Sequence, residues 1–143
     1  MKLRLFCSVL FLGVGVCMNV SAQTADEPAV VAAVAPTYPV IAAAAKASGD
    51  VNVDVTIDSS GNVSSARAVN AHALLKNICE ATARRWKFAP TKEPKSNRTA
   101  RLIFTFREVA DRVPEHERTP VFLPPYRVEV TGPKIFIKTE TSH

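Results

Sequence analysis

VNVDVTIDSSGNV, residues 51–63, decides how this chain folds. Val51, Val53, Val55 and Ile57 alternate with Asn52, Asp54 and Thr56. A period of two over seven residues predicts a strand with one buried face. Asp58-Ser59-Ser60-Gly61 then predicts a tight turn, which Asp opens and for which Gly supplies the unusual backbone angle. The return strand runs over 63–69, but Ala66 and Ala68 share one parity while Val63 and Val69 share the other. Either a bulge reconciles them or the strand is weakly patterned.

Upstream, Pro39 suits the first turn of a helix. Val40 to Ala47 is almost all alanine or strong helix formers, and Gly49 is the expected C-terminal cap. Downstream, Ala71 to Trp86 contains no Gly or Pro. Leu75, Ile78, Cys79, Thr82, Ala83 and Trp86 recur at three- and four-residue spacing, which predicts a helix with one apolar stripe. Asn70 is its expected N-cap. Trp86 closes the buried stripe, Arg85 and Lys87 face solvent, Phe88 anchors the exit and Pro90 prevents continuation. After the polar loop TKEPKSN, Leu102, Phe104 and Phe106 share a parity in a third strand around Arg98 to Val109. No hairpin partner follows it, so one side is expected to be an edge. The order helix, strand, strand, helix, strand predicts an α+β fold of two layers with a small antiparallel sheet.

The ends of the chain read differently. Residues 1–22 have the form of a secretory signal. Lys2 and Arg4 precede the apolar run Leu5 to Met18, and Val20-Ser21-Ala22 is a small-residue cleavage site. About 121 residues then remain, enough for one domain. Cys79 is the sole cysteine left, so no intrachain disulfide can form, and the formal charge falls from +5 to +3. Residues 23–36 have no usable period and read as a flexible lead-in to a domain over 37–109. In residues 110–143, a charged linker leads to Tyr126, Val128 and Val130, which alternate with Arg127, Glu129 and Thr131 in a short strand pattern. Gly132-Pro133 breaks it, and Ile135-Phe136-Ile137 offers another strand.

Catalytic chemistry finds little footing. Nucleophilic catalysis needs a nucleophile beside a base, and Cys79 falls on the buried stripe, where cysteine usually serves as a small hydrophobe. His72, His116 and His143 lack metal-ligand spacing, and His72 reads as part of a first helical turn. Asp54 and Asp58 read as an outward strand residue and a turn residue rather than an acid–base pair. No Gly-rich phosphate loop occurs. No catalytic residue, metal, cofactor, small-molecule substrate or nucleic acid is expected. The basic residues Arg84, Arg85, Lys87, Lys92, Lys95, Arg98 and Arg101 leave one other class open, a basic cell-envelope adaptor that meets an anionic polymer or lipid. Salt sensitivity would mark such a contact.

Several motifs, taken in order, carry a resemblance. They are Tyr38-Pro39 with Ala42, Gly49-x-Val51-x-Val53, Ile57-Asp58-x-x-Gly61-x-Val63, Val69, Trp86-x-Phe88-x-Pro90 and Phe104-x-Phe106. Together, over about residues 36–109, they resemble the C-terminal domain of the TonB energy-transducer family. Lys76, Asn77 and Thr91 depart from the family's usual residues. The resemblance implies a periplasmic module that grips the N-terminal peptide of TonB-dependent outer-membrane receptors by adding it as a strand to a sheet edge, linked to energy-dependent transport. Main-chain bonds then supply affinity with little demand on sequence.

By the same resemblance the third strand is the docking edge, with Arg98, Arg101, Ile103, Thr105 and Arg107 as partner-binding residues. Its arginines would repel like edges and admit an acidic peptide end, or serve as ordinary edge protection. The family's membrane anchor and Pro-rich spacer find no counterpart here, so a freestanding domain is expected. Exposed edges also permit a homodimer. YRVEVTG, residues 126–132, looks like the receptor peptide itself. One reading has residues 126–131 cover the edge at 98–107 in the same chain or bridge two copies. The other is a hairpin packed elsewhere or a mobile tail.

Overall fold

The computed structural model describes residues 27–93, 97–108, 114 and 118–132. The elements run β1 (Val30–Ala32), α1 (Val40–Ala44), β2 (Gly49–Ile57), β3 (Val63–Asn70), α2 (Ala73–Ala83), β4 (Lys87–Phe88), β5 (Arg98–Glu108), β6 (Val121–Leu123) and β7 (Arg127–Gly132). The main sheet has five strands in the order β3-β2-β5-β7-β6, and β1 pairs with β4 in a second, two-stranded sheet. This is an α+β fold of the expected class. The sheet is larger than expected and mixed: β5 and β7 run parallel, and the other pairs are antiparallel.

The alternation of β2 holds, with Val51, Val53, Val55 and Ile57 buried. At the turn, Asn62 N–H donates to Asp58 Oδ1 at 2.9 Å. Gly61 has φ +87°, and a Cβ there would lie 1.9 Å from the Phe88 carbonyl oxygen. Only glycine allows the β2–β3 turn to press this closely on β4. The parity conflict of β3 is resolved by two register shifts, one between Thr56 and Ile57 and one between Asn52 and Val53. The first places Val63 opposite Ile57 while Ala66 and Ala68 oppose Val55 and Val53. The second leaves Val69 unpaired and exposed.

The helices require two corrections. Gly49 does not cap α1. The helix ends in a Schellman turn, with Ala47 N–H donating to Ala42 O at 2.8 Å and Lys46 N–H to Ala43 O at 3.0 Å. Lys46 takes the left-handed conformation at φ +55°, while Gly49 opens β2. Nor does Asn70 cap α2. Its Oδ1 accepts from Asn52 N–H in the strand pair at 3.2 Å, and His72 is the N-cap, with its ring nitrogen accepting from Leu74 N–H. Glu80 turns back to the sheet and accepts from Ala68 N–H at 2.9 Å.

Trp86 lies just beyond α2 and is wholly buried. Its ring meets Phe104 of β5, Phe88 of β4 and Phe122 of β6, with centroids 6.1, 6.3 and 6.0 Å away. Its indole N–H donates to the Val34 carbonyl at 2.8 Å. That bond is part of a third correction. From residue 27 onward the segment read as a flexible lead-in is docked: β1 pairs with β4, and the Pro28 carbonyl accepts from the Tyr126 hydroxyl at 2.8 Å. The signal segment, Lys95, Val109 and the strand expected at 135–137 lie outside the described residues.

Candidate strand-acceptor edge

β5 is the strand expected to offer an open edge. On one side it pairs with β2 from Arg98 to Phe106. On the other, β7 pairs in parallel with Ile103 to Glu108. The expectation of a free edge over 98–107 is therefore corrected for its second half, and of the two readings of 126–131 the one present is pairing with this strand in the same chain, over Ile103 to Glu108. Ile103 N–H donates to Tyr126 O at 2.9 Å, so the main-chain groups of Ile103 face away from β2. Successive residues of a strand point these groups to opposite sides. Thr99 and Arg101 consequently share the direction of Ile103, and among the described residues no strand lies against them.

This open half faces a cleft of about 1110 Å³. Its walls include Pro28, Ala89, Pro90, Thr99, Arg101 and Tyr126. Arg98 lines it as well, donating from Nη2 to Ala89 O at 2.5 Å. Its Nε is buried without a hydrogen-bond acceptor among the described residues. Burial, and secondarily the charge of Glu27, pushes the Tyr126 hydroxyl up to about 12, so it remains a donor to Pro28.

The five residues expected at the edge divide into two groups. Arg98 and Arg101 border the open half, although Arg101 is already engaged. It lies opposite Asp54 in the β2–β5 register and holds that carboxylate at 2.7 and 3.1 Å. Ile103, Thr105 and Arg107 face β7 instead. Thr105 is buried and donates to Asp50 Oδ1 at 2.7 Å. Arg127 of β7 donates to Thr105 Oγ1 at 3.1 Å and reaches Asp50 Oδ2 at 3.4 Å, which links three strands. Arg107 pairs with Glu129 at 2.9 Å. Sequence reasoning missed Asp50, Glu129 and Pro28 in this cluster. The alternation over 126–131 was the available signal, but it did not identify these partners.

The structure separates the other candidates. Lys87 donates to Asn62 Oδ1 at 2.7 Å, and Arg98 and Arg101 have the partners given above. The basic residues therefore do not form one uncommitted surface. Cys79 is wholly buried, and burial pushes its thiol up to about 12. Asp54 serves Arg101 and Asp58 serves the turn. Among the described residues, no group of three or more His, Cys, Asp or Glu could hold a metal ion.

The family model for the Gram-negative bacterial TonB protein C-terminal matches residues 34–107, slightly more than half of the chain. The chain belongs to the TonB C-terminal family. A search of curated proteins found no match. Membership associates the chain with transport at the Gram-negative cell envelope and, in general terms, with outer-membrane receptors; the family is one of transport domains rather than enzymes. No described helix is long and apolar enough to cross a membrane. The matched segment starts at the residue that accepts the Trp86 bond and ends inside β5. β1, β6 and β7 lie outside it, and β7 adds Val128 and Val130 to its core.

Proposed function

We propose that this TonB-family chain is an exported, periplasmic binding module. It captures the N-terminal peptide of a TonB-dependent outer-membrane receptor as an added strand, in the service of energy-dependent transport across the outer membrane. The observation that carries this reading is the open half of β5, where among the described residues no strand pairs with Thr99 and Arg101, beside a cleft of about 1110 Å³. Most proteins cover such edges, and an added strand satisfies them.

The test is a titration of candidate receptor N-terminal peptides into the protein, with backbone amide shifts followed by NMR. Shifts at Thr99 and Arg101, and at Ala89 to Thr91 across the cleft, are expected. Shifts confined to Arg84 to Lys87, with 98–102 silent, would refute strand addition and favour an anion-binding surface. Raising the salt concentration should leave strand addition largely unaffected, because main-chain bonds do not depend on screening.

A further inference from the structure

β7 has the place of an added strand but the contacts of a core strand. Val128 and Val130 oppose Phe104 and Phe106 and are only 2% and 5% exposed. Gly132 lies against the Tyr38 ring, and the Tyr126 hydroxyl is bonded to Pro28. Arg127 and Glu129 are held by Thr105, Asp50 and Arg107 on the opposite sheet face. Expelling β7 would uncover two buried aromatic rings of β5 and break polar contacts to β5 and, beyond it, to β2. β6 is different: it spans three residues, and Val121, Phe122 and Leu123 are 50%, 40% and 39% exposed.

We propose that β7 is a resident strand that closes the edge of β5 from Ile103 onward. A partner therefore enters as a short extended segment, pairs through Thr99 and Arg101, and never displaces β7. This inference rests on the strand-addition reading given above and sets its limits. Only five residues of β5, Arg98 to Leu102, remain outside the β7 pairing, and two of them point main-chain groups into the cleft. Tyr126, bonded across to Pro28, stands at the Ile103 end. A longer segment running along β5 would collide with Arg127, which is already opposite Ile103. With so few main-chain bonds available, selectivity passes to the cleft wall. There, among the described residues, Arg98 Nε is a buried donor without an acceptor.

Native-state hydrogen exchange decides whether β7 stays. Its amides bonded to β5 should exchange within about tenfold of the slowest amides of β2, as members of one cooperative unit do. Exchange more than about a hundredfold faster, with β2 still protected, would show that β7 opens on its own and would overturn the proposal. A second measurement adds the synthetic heptapeptide Tyr-Arg-Val-Glu-Val-Thr-Gly, the chain's own residues 126–132, as a competing strand. Its addition should leave β7 protection unchanged; loss of that protection would also overturn the proposal. The pair Arg107→Cys and Thr131→Cys, opposite each other in the register, supplies a lock. Oxidising it should leave receptor-peptide shifts at Thr99 and Arg101 intact, and their disappearance would mean that β7 must leave for binding. If neither form binds any receptor peptide, the strand-addition reading fails, while the exchange comparison still decides whether β7 is resident.

Discussion

Gly132 and Tyr38 are in such close contact that a Cβ at position 132 would fall 1.8 Å from Tyr38 Cδ1. Tyr38 cannot retreat easily. It is buried, its hydroxyl donates to Ala47 O at 2.9 Å, and its ring meets Phe106 edge-on at 5.2 Å. Gly132→Ala should therefore destabilise by about 1–3 kcal/mol through overpacking. Chemical denaturation measures it, and an unchanged midpoint would mean that the end of β7 is not packed as described.

Trp86→Ala should cost about 3–5 kcal/mol, the usual range for a buried aromatic truncated to alanine. Trp86→Phe keeps a ring against Phe104 but leaves the Val34 carbonyl without its donor. Its cost should be smaller, although the lost bond alone contributes about 1 kcal/mol. Thermal melts of the two variants test the order. A Trp86→Ala protein that melts like the parent would contradict the core assignment.

Lys46 occupies a backbone region that an L-residue adopts only with strain. Glycine is the usual occupant of that position in a Schellman turn. Lys46→Gly should leave the fold unchanged and raise stability by up to about 1 kcal/mol, the smaller of the effects on each side being glycine's greater freedom in the unfolded chain. Destabilisation would show that the lysine side chain contributes something further.

Asp54 has a pH signature. The hydrogen bond from Arg101 holds its carboxyl below the usual carboxylate range, more strongly than burial opposes it. A carboxyl whose folded pKa lies below the unfolded value of about 3.9 stabilises fully above that value. The contribution disappears as pH falls through the folded pKa. Asp54→Asn should thus be less stable than the parent near neutral pH, with the difference closing toward strongly acid pH. Denaturation midpoints at the two ends measure it. The pair is about half exposed, so high salt should shrink the difference; a difference independent of pH would rule out the ion pair as its source.

Cys79 should be inert in the native state. In a chain beginning at Gln23 it is the sole thiol, it is wholly buried, and its thiolate is suppressed by the shift to about 12. The thiolate is the reactive form. A thiol reagent at mildly alkaline pH should label it at once in denaturant and only at the rate of unfolding without it. Fast native labelling would place Cys79 outside the core.

How legible the structure was depended on whether its cause is local. Strand β2, the stripe of α2 and the core position of Trp86 follow from periods and punctuation within a few residues. The bulge in β3 was visible as two competing parities. β1 was not visible, because three residues in an Ala/Val/Pro segment carry no period and are held by β4, far along the chain. His72 replaced Asn70 as the cap because β3 runs on through Asn70 and uses its side chain across the pair. Of the candidate site the strand was legible, but the division of its edge at Ile103 was not. What the residues did not show was how firmly β7 belongs. That depends on Phe104 and Phe106 needing cover on the sheet face, a demand set by the assembled fold and not by the pattern of 126–132.

The Tyr126–Pro28 bond joins positions 98 residues apart. Its consequence lies in time rather than in space. A chain made from its N-terminus presents Pro28 and Val34 early, and then Trp86 and Phe104, before Tyr126 exists to close the cleft wall. Contacts this distant in sequence slow folding. Until the last strand arrives, the aromatic face of β5 stays available to other chains, and uncovered apolar surface of this kind invites association. Shortened chains that end before residue 127 should accordingly be the aggregation-prone forms of this protein.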